Sequence, residues 1–125
     1  MKRIEIEETM KMEPQKRYEY FIKKVVDYEE VWSLSNDEGW VSSKGDDGGL
    51  RLNFWPTKEH ADLCAVKEWK GSTAESIELE DFIENWLPGM KKDGINASIF
   101  YNNVDSIALP LKKILEDIES ELDNY

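Results

Sequence analysis

The chain has 125 residues, 27 of them acidic and 16 basic, for a formal charge of −11, and 40% are apolar, with five Trp, five Tyr and four Phe. That is enough large side chain for one hydrophobic core, which argues against a disordered chain. The negative surface argues against nucleic acid and membrane as direct partners, and it suits either a basic protein or plain solubility. The single cysteine, Cys64, rules out an internal disulfide and fits a reducing compartment. The acidic amino terminus does not read as a signal peptide and no run is long enough to span a membrane, so a cytoplasmic location is expected.

Residues 1–12 are charged and weakly patterned and read as a loose arm ahead of a single domain over 13–125. Pro14 suits a first helical turn, and Tyr18, Phe21, Ile22, Val25 and Val26 then recur at helical spacing, with Lys16, Arg17, Lys23 and Lys24 on other faces. Val31, Trp32 and Leu34 lead into the turn Asn36-Asp37-Glu38-Gly39, and Trp40-Val41-Ser42 completes a hairpin. A second breaker, Lys44 to Gly49, precedes the alternating strand Leu50 to Trp55, so a three-stranded antiparallel meander is expected.

Thr57 predicts an N-cap for a helix carrying Ala61, Cys64, Ala65 and Trp69, closed by Gly71. A short strand at Ser76 to Leu79 runs into a helix with Phe82, Ile83, Trp86 and Leu87 on one stripe, stopped by Pro88-Gly89. After Asp93-Gly94 comes a strand from Ile95 to Tyr101, and a last helix from Pro110 shows Leu111, Ile114, Leu115, Ile118 and Leu122. The expected order is α-βββ-α-β-α-β-α, an α+β fold. Helix crossovers between the later strands predict a mixed sheet of about five strands.

Several stretches together carry a resemblance. They are Tyr20-Phe21 with Glu29-Glu30-Val31-Trp32, Gly39-Trp40, Phe54-Trp55-Pro56 with Ala61, Leu63 and Cys64, and Phe82 to Met90 with Asp93-Gly94-Ile95. The chain resembles a bacterial family known as domain-of-unknown-function family 2750, over roughly residues 18 to 125. The resemblance implies a short bacterial single-domain protein and no assigned activity.

No residue pattern demands catalysis, a cofactor or a metal. His60 and Cys64 stand at i and i+4 on one helix, which suits a nucleophile dyad or half a metal site. The plainer reading, a small core thiol and an imidazole that caps or decorates the first turn, is the one expected here. Asp46 and Asp47 between glycines suit a cation-binding loop or a plain hairpin connection, and the spacing of an EF-hand is absent.

Trp40 beside a turn and Trp55 before Pro56 are candidate surface anchors. From Gly71 to Met90 there is no basic residue, while Glu75, Glu78, Glu80, Asp81 and Glu84 all occur. The expectation is a non-enzymatic interaction protein whose acidic surface meets a basic protein, as immunity proteins meet cationic toxins. The alternative is a small ligand-binding protein or enzyme with its site near His60, Cys64 and Trp55. A homodimer through an uncovered sheet edge is compatible with either.

Overall fold

In the computed structural model, which describes residues 3–45 and 47–124, the chain opens with two helices, α1 (Arg3–Met10) and α2 (Pro14–Tyr28). Much of the segment expected as a loose arm is thus helical. Ile6 and Thr9, three apart on one face, are buried, and the Thr9 hydroxyl donates to Glu5 O at 2.8 Å. The groups that fasten α1 come from Tyr20, His60 and Asn102, far along the chain, so the segment's own pattern is silent about them.

Helix α2 begins with Pro14 at its first turn and buries Tyr18, Phe21, Ile22, Val25 and Val26 as their spacing predicts. It also buries Arg17, which the spacing had placed off the apolar stripe. The helix ends at Glu29 in a left-handed conformation (φ 56°), and the Glu29 carbonyl accepts the Leu79 N–H at 2.9 Å.

Strand β1 (Glu30–Asn36) turns through Asp37-Glu38 into β2 (Gly39–Trp40), with Asn36 Oδ1 accepting the Glu38 N–H at 2.8 Å. Gly39 takes φ 120° there, which a side chain would resist. Val41, buried, sends its N–H to Leu34 O and breaks the strand, and β3 (Ser42–Lys44) continues it as partner of β4 (Leu50–Phe54). The expected meander is therefore present, but its middle strand is shared between two sheets.

One sheet has the order β2-β1-β5, with β5 spanning Thr73–Glu78; the other runs β3-β4-β6-β7, with β6 at Asn96–Ile99 and β7 at Ile107–Leu109. Trp32 and Trp55 exchange N–H···O bonds of 2.9 and 2.8 Å and join the two sheets. Two sheets with seven strands among the described residues replace the single sheet of about five. The three-residue β7, antiparallel to β6, is too short for a period to show. The second sheet is mixed as expected, because β4 and β6 run parallel.

Thr57 caps α3 (Lys58–Leu63) by accepting the His60 N–H at 3.2 Å. The helix ends earlier than predicted, and Trp69 sits on a separate 3₁₀ turn, Lys67–Trp69. After β5 the chain coils through α4 (Leu79–Asp81), a π-helical turn (Phe82–Trp86) and α5 (Leu87–Asp93). Pro88 does not stop this helix. The Leu87 N–H reaches back five residues to Phe82 O, and the widened turn carries the backbone past a proline that has no N–H to give. Gly94, at φ 70°, closes the helix while Ile95 N–H bonds Met90 O at 2.9 Å.

The last helix, α6 (Leu111–Leu122), buries Ile114 and Ile118. It packs against α2, where the Tyr18 hydroxyl donates to Asp117 at 2.5 Å. The core between sheets and helices holds Phe21, Phe54, Phe82, Phe100, Ile99 and Leu34, all fully buried.

Candidate functional site

His60 is fully buried, with Nδ1 2.6 Å from Thr57 Oγ1 and Nε2 2.8 Å from Thr9 Oγ1. The tautomer follows from the neighbours. Thr9 gives its hydroxyl proton to the carbonyls of Glu5 and Ile6, so it accepts from Nε2–H. Thr57 accepts the His60 backbone N–H and gives its own proton to Nδ1. Both ring nitrogens are committed, and the ring lies edge-on to Tyr20 and Phe100 at 5.8 and 4.7 Å. Burial pulls the imidazole pKa down to about 4, so it is neutral at physiological pH.

Cys64 is equally buried, and its thiol donates to Tyr101 O at 3.1 Å. Burial raises its pKa to about 12, which keeps the thiol protonated and weakly nucleophilic. The two residues share α3 and its C-terminal edge, yet each is bonded to other groups. Among the described residues, no three His, Cys, Asp or Glu side chains are placed to hold a metal ion. Asp46 lies outside the described residues; Asp47 Oδ1 accepts the Gly49 N–H at 2.8 Å within its turn.

The two candidate anchors separate. Trp55 is fully buried, with Nε1 donating to Tyr101 O at 2.9 Å, so it is a core residue and no surface anchor. It follows β4 directly, at the bridge between Trp32 and Trp55 that joins the two sheets. Trp40 is 37% exposed and rests edge-on against Trp86 at 4.8 Å.

Arg17 is the polar residue that sequence reasoning missed. Only 1% exposed, it spreads its guanidinium over Met12 O, Phe100 O, Asp105 O and the Asp105 carboxylate. It thereby pins the start of α2 to the loop between β6 and β7. That loop turns through Phe100 and Asn103 at φ 54° and 72°.

Glu75, Glu78, Glu80, Asp81 and Glu84 are all exposed. Three of them converge: Glu78 at the end of β5, with Glu80 and Glu84 on the following helix, line a groove of about 550 Å³. Glu29, from the end of α2, is a fourth carboxylate there, and Tyr28, Ile83 and Leu122 supply apolar surface. None of the four carboxylates belongs to an ion pair among the described residues.

Tyr28 is 48% and Leu122 39% exposed. Glu75 lies farther along β5 and accepts from the Ser35 hydroxyl, while Asp81 accepts from Asn85 Nδ2 at 2.7 Å. Strand β5 is the edge of its sheet, so the groove adjoins a row of backbone groups that no neighbouring strand covers. Sequence reading had found the carboxylates but missed Tyr28, Glu29 and Leu122, which other parts of the chain deliver.

A family model described as "Protein of unknown function (DUF2750)" matches residues 18–118, and the chain belongs to that family. No curated protein matches it. Among the described residues, no helix is long and apolar enough to cross a membrane.

Proposed function

Since membership of that family assigns no activity, we propose from the geometry that the chain is a binding protein that docks a basic protein on its acidic groove. The observation that carries this reading is the set of four carboxylates, Glu29, Glu78, Glu80 and Glu84, which form no ion pair among the described residues, around half-exposed Tyr28 and Leu122. Exposed like charges speed the encounter with an oppositely charged surface. The tyrosine and leucine add apolar area that such a partner would bury. An immunity-type role, in which a cationic toxin is held and neutralised, is a concrete version of this reading. The committed state of His60 and Cys64 agrees with a protein that binds without catalysing.

The test compares two baits in native lysate, the wild-type chain and the triple variant Glu78→Gln, Glu80→Gln, Glu84→Gln. The wild type should retain a basic protein at low salt and release it at high salt, and the triple variant should lose it. Recovery of the same proteins by both baits, or of none at low salt, would count against the groove.

A further inference from the structure

The second sheet has two unlike faces. Leu52, Phe54, Ala97 and Ile99 are apolar and turn towards the core, while Ser43, Arg51, Asn53 and Ser98 occupy the other face. Strand register brings the second set together: Ser43 is opposite Arg51, and Asn53 is opposite Ser98. A polar sheet face normally meets water, yet Asn53 and Ser98 are only 1% and 3% exposed. The chain from Cys64 to Trp69 and the loop from Tyr101 to Ser106 roof this face and leave a cavity of about 440 Å³. That lies in the size range of small-molecule sites, roughly 300–1,000 Å³.

Three cations line the cavity in a chain of net charge −11: Lys44, Arg51 and Lys67. None of them forms an ion pair among the described residues. Of the two acidic residues on its wall, Asp105 is already held by Arg17, and Glu68 is exposed at the rim. Arg51 Nε is buried and has no hydrogen-bond partner among the described residues, although a buried guanidinium N–H demands an acceptor.

The backbone is shaped around that guanidinium. It lies so close over Gly45 that a Cβ there would sit 2.4 Å from Nη2. Lys67 reaches the rim from a left-handed conformation (φ 54°) that lysine seldom adopts. Trp69 and Tyr101, edge to face at 5.7 Å, form an aromatic wall.

We propose that this cavity binds a small organic anion, its carboxylate or phosphate held by Arg51 with Lys44 and Lys67, and its other polar groups met by Asn53 and Ser98. Arg51 supplies the forked donors that such groups accept from. The site is independent of the acidic groove and of its partner.

The test follows the arginine Nε–H resonances of the full-length protein by NMR, with Arg51→Gln used to identify the Arg51 signal. Sodium phosphate and sodium succinate are titrated separately at constant ionic strength, with sodium chloride as reference. One or both anions should move the Arg51 signal saturably, and whichever acts names the ligand's acidic group. Gly45→Ala keeps the net charge but displaces the guanidinium, and it should weaken that binding about ten-fold. Lys67→Asn, whose new side chain tolerates the left-handed backbone, should weaken it about three-fold. The groove triple variant should titrate like wild type. An Arg51 signal that moves no more than in chloride would overturn the proposal, as would wild-type titrations from both Gly45→Ala and Lys67→Asn.

Discussion

Two polar regions of this molecule contrast. Around His60 and Arg17 the polar atoms are engaged by the fold: two threonine hydroxyls on the imidazole, three carbonyls and a carboxylate on the guanidinium. Around Glu29, Glu78, Glu80 and Glu84 the charges face outward and have no counter-ion among the described residues. The first region holds chemically versatile residue types and uses up their capacity on the fold. The second holds ordinary surface residues and leaves theirs free. A side chain's availability is decided by what already touches it, more than by its type.

The sharpest way to break the contrast is to empty the filled region. Arg17→Ala would strand Met12 O, Phe100 O and Asp105 O and leave a void, a loss of about 4 kcal/mol. Arg17→Lys should recover less than half of it, because one ammonium cannot span acceptors on both sides of the loop. Urea unfolding midpoints measure both. A loss under about 1 kcal/mol for the alanine variant would show that Arg17 is no anchor.

His60 yields the next effect, through acid. Its imidazole protonates near pH 6.5 when unfolded and near 4 when folded. Above pH 6.5 it is neutral in both states and adds no pH dependence. As pH falls from 6.5 to 4, only the unfolded chain takes the proton, so stability drops, by about 3 kcal/mol in total. Glu5 and Asp117, both held below the usual carboxylate range, add their own losses at lower pH. For Glu5 the chief cause is the Tyr20 hydrogen bond. For Asp117 burial opposes the shift, and bonds from Lys113 and Tyr18 outweigh it. The His60→Gln variant isolates the imidazole: its stability should be flat between about pH 6.5 and 5, where wild type already slopes and the carboxylates do not yet titrate. With one histidine in the chain, its ring resonance reads the same proton directly. Titration near pH 6.5 in the folded protein would refute the closed hydrogen-bond circuit.

What was legible in the sequence follows the same division. The α2 and α6 stripes, the Thr57 cap and the turn at Asn36 to Gly39 all depend on neighbours within a few residues, and each is found. The Thr9–His60 and Arg17–Asp105 contacts span 51 and 88 residues, so no local pattern announces them. Helix α1 and the burial of Arg17 were hidden for that reason. The passage of the helix through Pro88 was hidden for another, since a proline reads as a stop unless the turn before it widens. The carboxylates of the groove were visible as a run without cations. That they form a groove depends on Tyr28 and Leu122 arriving from the ends of two distant helices.

The smallest expected effect has the opposite sign, and it sharpens the contrast most. Register places Glu78 of β5 directly across from Glu30 of β1, two like charges on neighbouring strands. Such a pair destabilises a sheet by a few tenths of a kcal/mol, up to about 1. Glu78→Gln removes the repulsion and keeps the shape, so it should raise stability by about 0.5 kcal/mol, more at low salt than at high. The same change should weaken capture of a basic partner. A residue retained for the fold cannot show that pairing of outcomes, because its loss would lower stability. If Glu78→Gln instead destabilises the chain, or its effect ignores salt, then Glu78 serves the sheet, and the groove loses one of the charges on which its proposed role rests.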